Sequence, residues 1–197
     1  KSSENMFESD VDDFFKSGGI GLNVTVPFKG QAYNLCDRLD QSAIECKSVN
    51  TIMSHSGELM GYSTDGQGLV DDFSQKKITL ENSKVLIIGA GGSAASIISS
   101  LLLHEAATEV SVLNRTESNA IKLLDLFKTD KLSIHDKKNQ YDIVVNTTPI
   151  SMGVDDIVLP PEIIKNKPVC YDLFYAKEKT RFQKWAEINK SNRNGNK

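Results

Sequence analysis

Two rhythms of apolar and polar residues divide the chain. From Ser83 onward, short continuous apolar runs alternate with stretches of helical period. "SKVLIIGAGG" is an unbroken apolar run closed by glycine, the pattern of a strand covered on both faces. "SAASIISSLLLHEA" follows with Ala94, Ile97, Ile98, Leu101 and Leu102 on one helical face. "EVSVLNR" reads as a second strand, "ESNAIKLLDLF" as a second helix, and "YDIVVNTTP" and "KPVCYDLFY" as two further strands. Strands alternating with helices predict a parallel sheet with helices on both faces.

Before Ser83 the rhythm is mixed. "DVDDFFKSGG" predicts a short helix closed by Gly18 and Gly19, and "GLNVTVPF" a strand that Pro27 ends. "AYNLCDRLDQSAIECKS" carries apolar residues at helical spacing. "VNTIMSHSGELMGYSTD" predicts a hairpin turning at Ser56 and Gly57, and "TDGQGLVDDFSQ" a helix linking two lobes. The sequence has no internal repeat.

Composition narrows the function classes. The 197 residues carry 23 basic and 26 acidic side chains, a formal charge of −3. So balanced a chain offers no electrostatic case for nucleic acid or a membrane surface. No apolar run reaches the length of a membrane span, and the polar start "KSSENMFESD" does not read as a signal peptide. Cys36, Cys46 and Cys170 lack metal-ligand or redox-pair spacing and read as neutral thiols in a reducing compartment. His55, His104 and His135 are scattered; none is assigned to catalysis or to a metal.

The glycine run is the first candidate site. "GAGGSA", from Gly89 to Ala94, fits the small-residue pattern of a dinucleotide loop. Gly89 makes the tight turn, Gly91 lets backbone amides approach a pyrophosphate, and Ala94 permits close helix–strand packing. The helix that begins there offers unpaired N–H groups to an anion. At the end of the next strand stand Asn114, Arg115 and Thr116, where an NAD site would carry an acidic residue. An arginine there suits a ribose 2′-phosphate, so NADP is favoured over NAD. A second polar cluster, Asn23, Thr25, Lys29, Asn50, Thr64 and Asp65, belongs to the first half. A lysine beside an aspartate can exchange a proton with a carbinol oxygen during hydride transfer.

Together "NVTVPFK", "VNT", "TDG", "GAGGSA", "NRT", "NTTPISM" and "YDLFY" stand in the order and approximate spacing of the shikimate dehydrogenase family, which the chain resembles from about Phe14 to Trp185. The resemblance implies an α/β fold of two domains. Residues 1–66 would form a substrate-binding domain lacking its first strand, and residues 67–190 a Rossmann-like NADP-binding domain, with 191–197 a frayed or truncated tail. It implies NADPH-dependent reduction of 3-dehydroshikimate to shikimate, a soluble cytoplasmic monomer or homodimer, and no metal. Carried over by position, Lys29 and Asp65 match the catalytic pair. Thr25, Asn50 and Tyr175 match substrate contacts, and Asn23 lies in the same motif. Gly89, Ala90, Gly91, Gly92 and Ser93 match the dinucleotide loop, and Asn114, Arg115 and Thr116 the adenosine-phosphate contacts. Leu173 falls at a nicotinamide contact and Gln41 at another cofactor-adjacent position.

Departures are equally specific. The family's S-x-S motif has no equivalent in "KSSENMFESD", and the glutamine-bearing "DGxxMLxxQ" segment is not in the sequence. Asn119 stands where a second basic residue usually follows "NRT", and Ser151 where glycine is common. The ends are therefore expected to be internal points of a longer polypeptide. The alternatives are a quinate/shikimate dehydrogenase with relaxed cofactor use and, for this stretch alone, a non-catalytic NADP-binding fragment. Dehydrogenases acting on folates or glutamyl-tRNA share the nucleotide half but not "NVTVPFK" and "TDG".

Overall fold

A computed structural model describes residues 3, 5–103, 109–153 and 157–191. His104 and the end of the helix predicted through Ala106 lie outside the described residues, as do Ser2 and 192–197.

The first half opens with α1 (Phe7–Lys16), and the chain leaves it through Gly18 in the left-handed region at φ 95°. A four-stranded sheet follows, in the order β1-β3-β4-β2, built from β1 (Gly21–Asn23), β2 (Arg38–Leu39), β3 (Thr51–His55) and β4 (Glu58–Tyr62). The β3–β4 hairpin turns at Ser56 and Gly57 as predicted, with φ 54° and 86°. Two positive φ values in a two-residue loop match the twist of the flanking strands. Phe7, Val11, Val24, Ala32, Ala43, Val49 and Ile52 make its core.

Two expectations are corrected here. The strand predicted over residues 21–28 ends at Asn23, which pairs with Thr51 at the start of β3; one more backbone bond, from Val24 N–H to the Asn50 carbonyl at 2.7 Å, follows before the chain turns. Phe28 N–H instead donates to the Thr25 carbonyl at 3.0 Å, and Lys29 opens a helix, α2 (Lys29–Leu35). The single helical stretch over 32–48 is divided. After α2 the chain makes β2, parallel to β4, and restarts as α3 (Gln41–Cys46), with Asp40 accepting from Ser42 N–H at its N-cap.

The second half is a five-stranded sheet, parallel throughout, in the order β7-β6-β5-β8-β9. Its strands are β5 (Lys84–Ile88), β6 (Glu109–Leu113), β7 (Leu132–Ile134), β8 (Ile143–Asn146) and β9 (Val169–Asp172). Successive side chains of β5 point to opposite faces. Val85 and Ile87 join one core with Ile97, Ile98 and Leu101 of α5 (Gly92–Leu103) and Leu123 of α6 (Glu117–Phe127). Leu86 and Ile88 join the other with Tyr141, Ile163, Ile164 and Phe182. Each such side chain fully buried stabilises the fold by roughly 1.5–3 kcal/mol. The short β7 and the final helix α7 (Arg181–Ser191) are additions to the predicted elements.

The halves meet along α5, against which α3 and α4 (Asp65–Gln75) pack. Cys46, Leu69 and Phe73 from the first half share the core of Ile97 and Ile98. Where α4 crosses α5 the residues are small: Ser63 Oγ donates to Ser96 Oγ at 2.8 Å, and Gly66 N–H to the same oxygen at 3.0 Å. A side chain at Gly66 would overlap the Ser96 carbonyl and Ser100 Oγ. A further tie joins Tyr171 of β9, whose hydroxyl donates to Asp72 Oδ2 of α4 at 2.8 Å while its ring meets Phe73 edge-on.

Candidate functional site

The chain continues from β5 through α5 to β6 on one side, and β8 lies on the other side of β5. That is the switch point of an open α/β sheet, where loops at the strands' carboxyl ends part to leave a crevice. Gly89 sits at its base with φ 115°, a conformation that favours glycine, and a Cβ there would overlap Thr147 Oγ1. Gly91 differs: a Cβ there would meet nothing within 4 Å, so the backbone before α5 faces open space. Ala94 is fully buried against β5, as the loop pattern requires.

A cleft of about 360 Å³ lies over this loop, lined by Gly89 to Ser93 together with Val26, Pro27, Lys29, Asn114 and Thr147 to Pro149. A second, of about 690 Å³, shares Asn114, Asn119, Thr148 and Pro149 with it and extends past Arg115 and Thr116 toward Leu159. Asn114 closes its own loop by donating to the Thr116 carbonyl at 2.8 Å. Thr116 stands at the start of α6 without making a side-chain cap, and the exposed Arg115 lies at the rim. These donors, without a carboxylate at the end of β6, fit a dinucleotide carrying a 2′-phosphate.

Lys29 is only 8% exposed, and its ammonium joins the two halves of the molecule. Nζ donates to Asp65 Oδ2 and, at 2.7 Å, to Ser93 Oγ of the glycine loop. Asn50 Nδ2 donates to the other carboxylate oxygen, Asp65 Oδ1, at 2.7 Å and to Thr64 Oγ1 at 2.9 Å, while Asn50 Oδ1 accepts from Thr64 N–H at 3.0 Å. Thr64 therefore belongs to the same network. Lys29's alkyl stem is packed too: a Cβ at Gly92 would lie 3.1 Å from Lys29 Cβ and would overlap Ser48 Oγ. A cation, a carboxylate and their amide support stand at the edge of the glycine-loop cleft, an arrangement able to hold and move a proton at a bound oxygen.

Other predicted positions stand apart. Thr25 is exposed in the turn before α2. Asn23 lies on β1, with its amide 3.5 Å from Thr51 Oγ1. Gln41 begins α3 and donates to Glu45 at 3.0 Å, outside the clefts described above. Tyr175 is 92% exposed beyond β9. Leu173 packs against the core below, its N–H bonded to the Asn146 carbonyl at 3.0 Å.

Sequence reasoning gave no role to Asn146, Thr147, Thr148 or Asp172, although "NTTP" after a wholly buried strand was the signal. Asp172, 8% exposed, accepts from Asn146 Nδ2 at 2.9 Å, Ser151 Oγ at 2.6 Å, Thr180 Oγ1 at 2.5 Å and Phe174 N–H at 3.1 Å. Asn146 Oδ1 in turn accepts from Thr148 N–H at 3.1 Å. This network fixes the loops after β8 and β9 that wall the clefts.

The thiols make different contacts: Cys46 Sγ donates to the Ser42 carbonyl at 3.1 Å and Cys170 Sγ to the Pro168 carbonyl at 3.6 Å. Desolvation, aided by Asp37, pushes Cys36 up to about 11, and burial also raises Cys46 and Cys170. Among the described residues no group of three or more His, Cys, Asp or Glu side chains could hold a metal ion, and no helix is long and apolar enough to cross a membrane.

The chain also has recognisable relatives among known proteins. Residues 1–52 match the family model of the shikimate dehydrogenase substrate binding domain, and residues 72–159 that of shikimate / quinate 5-dehydrogenase. The shikimate dehydrogenase (NADP(+)) of Shewanella woodyi is 40% identical over 185 residues, covering 91% of this chain and 67% of that protein. That of Colwellia psychrerythraea is 37% identical over 185 residues, covering 92% and 67%. The chain thus spans about two thirds of the length of these curated relatives. Among solved structures, shikimate 5-dehydrogenase of Thermus thermophilus in complex with NADP(H) and shikimate superposes with a TM-score of 0.78 at 26% identity, over 95% of this chain and 70% of that one. With both halves matched and the relatives this similar, the chain belongs to the shikimate dehydrogenase family.

Proposed function

We propose that this protein catalyses the NADP-dependent, reversible reduction of 3-dehydroshikimate to shikimate, a step of aromatic amino acid biosynthesis, with Lys29 and Asp65 as the proton-transfer pair. The observation that carries the reading is the buried Lys29 ammonium held between Asp65 and the glycine loop. In this reading residues 1–66 supply the substrate-binding part and residues 67–190 the cofactor-binding part. Three free thiols without a disulfide suit a reducing, cytoplasmic setting.

The cofactor, when bound, supplies the hydride to the carbonyl carbon. Gly89 to Ser93 would hold its pyrophosphate through backbone N–H groups and the positive end of α5. Asn114, Arg115 and Thr116 would hold the 2′-phosphate, Arg115 as the charged, bidentate donor. Leu173 and Gln41 would flank the cofactor.

As the carbonyl oxygen gains negative charge, Lys29 delivers a proton to it while Asp65 holds the lysine's Nζ in place. In the reverse direction the same pair accepts the hydroxyl proton. Asn50 keeps Asp65 oriented, and would meet a substrate hydroxyl by exchanging its bond to Thr64 Oγ1 for one to the ligand. Thr25, Tyr175 and Asn23 supply further polar contacts around the ring and its carboxylate. Orientation of this kind removes much of the entropic cost of the bimolecular step.

The test follows nicotinamide absorbance with shikimate and either NADP or NAD. Turnover with strong NADP preference supports the reading. Equal use of both cofactors points to the quinate/shikimate branch. Tight NADP binding without turnover would overturn the assigned reaction.

A further inference from the structure

Ser93 is assigned to the dinucleotide loop by its position, yet its side chain faces the other half of the molecule. Its Oγ lies 2.7 Å from Lys29 Nζ, across 64 residues of sequence. An ammonium has three N–H donors. Asp65 takes one and Ser93 a second, which leaves one for a substrate oxygen. A lysine on a flexible four-carbon stem held at one point can sweep an arc; held at two, its third donor has a defined direction. Gly92 closes against the Cβ and Cδ of the same stem, so the loop fixes both ends of the side chain. Meanwhile Ser93 occupies the second position of α5, where the backbone N–H has no helical acceptor and is available to an anion.

We propose that Ser93 is a positioning residue for Lys29: its hydroxyl aims the third ammonium donor, while its backbone belongs to the cofactor loop. Ordering of that loop by a bound dinucleotide is then transmitted to the proton-transferring lysine through one residue. The inference rests on the role given to Lys29 above.

Two measurements test it. In steady-state assays with shikimate and NADP, Ser93→Ala lowers kcat by about tenfold, as loss of one charge-assisted hydrogen bond implies, with both KM values within about twofold of the parent. Ser93→Thr, which keeps the hydroxyl, recovers most of the rate. Independently of turnover, brief acetylation of the unliganded protein followed by peptide mass spectrometry reads the lysine directly. Lys29 is acetylated about threefold or more faster in Ser93→Ala than in the parent or in Ser93→Thr. Unchanged kcat together with unchanged Lys29 acetylation would overturn the proposal. So would a loss of NADP affinity in proportion to the loss of rate, since Ser93 would then act only as a loop residue. A parent protein inert toward shikimate would sink the proposed reaction, and the acetylation contrast would still decide the Ser93 contact.

Discussion

Asn50 and Lys29 divide a single carboxylate between them: the amide holds Asp65 Oδ1 at 2.7 Å and the ammonium takes Oδ2. The carboxylate cannot rotate without giving up one partner. Asp65→Asn keeps the shape and removes the charge, and is expected to cut kcat at least about 100-fold, the usual scale for general acid–base groups. NADP affinity, measured by fluorescence titration, should change less than about twofold. Combined with Lys29→Ala, the effects should fall well short of additive, because the two groups act as a unit.

Adjacent glycines should answer differently to the same substitution. Gly91→Ala adds a methyl to open space and should leave thermal stability nearly unchanged while weakening NADP binding about tenfold or more. Gly92→Ala forces a methyl against Ser48 Oγ and the Lys29 stem and should cost roughly 1–3 kcal/mol by overpacking. Equal losses of stability in the two variants would argue against the cleft over Gly91 as the cofactor's place.

Asp172 has the largest expected effect on folding away from Lys29. Asp172→Ala leaves Asn146, Ser151, Thr180 and the Phe174 N–H without their acceptor, and should cost about 3 kcal/mol or more in urea unfolding. Ser151→Gly removes one donor to Asp172 and the acceptor of Phe182 N–H, and should cost about 1–2 kcal/mol.

The Tyr171–Asp72 tie predicts a pH dependence. Desolvation, then the hydrogen bond and charge of Asp72, raise the Tyr171 phenol to about 12, above its ordinary value of 10.0. The folded state thus favours the neutral phenol. This contribution is fully present below pH 10 and is lost as pH rises from 10 toward 12, where the unfolded chain ionises first. Tyr171→Phe should be less stable than the parent at pH 8 by about 1 kcal/mol, with the gap narrowing at pH 11. A gap constant across that range in thermal melts would contradict the assignment.

Much of the second half was legible because its signals are local. The apolar run of β5, the glycine turn and the 3.6-residue period of α5 each name one element, and all were found where expected. The first half was harder, since its pattern reports burial rather than hydrogen bonding. Val24 and Val26 alternate like a strand, but after Val24 N–H bonds the Asn50 carbonyl the chain turns, Phe28 N–H reaching back to Thr25. Helical spacing over 32–48 concealed β2, although Asp40, a favoured cap residue ahead of the α3 segment, marked the restart. The start of α7 was also written plainly: Thr180 and Gln183 form a reciprocal capping box, with bonds of 2.9 and 3.2 Å. As for the site, no spacing rule brings Lys29 to Asp65 and Ser93, 36 and 64 residues away. The resemblance in "NVTVPFK" and "TDG" singled out Lys29 and Asp65; nothing in the sequence joined Ser93 to them.

Bulky side chains hold packed helices 8–10 Å apart; at the crossing of α4 and α5, Gly66, Ser63 and Ser96 let backbone approach backbone. Such a contact works as a datum. It cannot part without breaking both bonds to Ser96 Oγ. Gly66, held there through its own N–H, directly follows Asp65 in the chain, so the carboxylate that meets Lys29 takes its position from the seam one residue away.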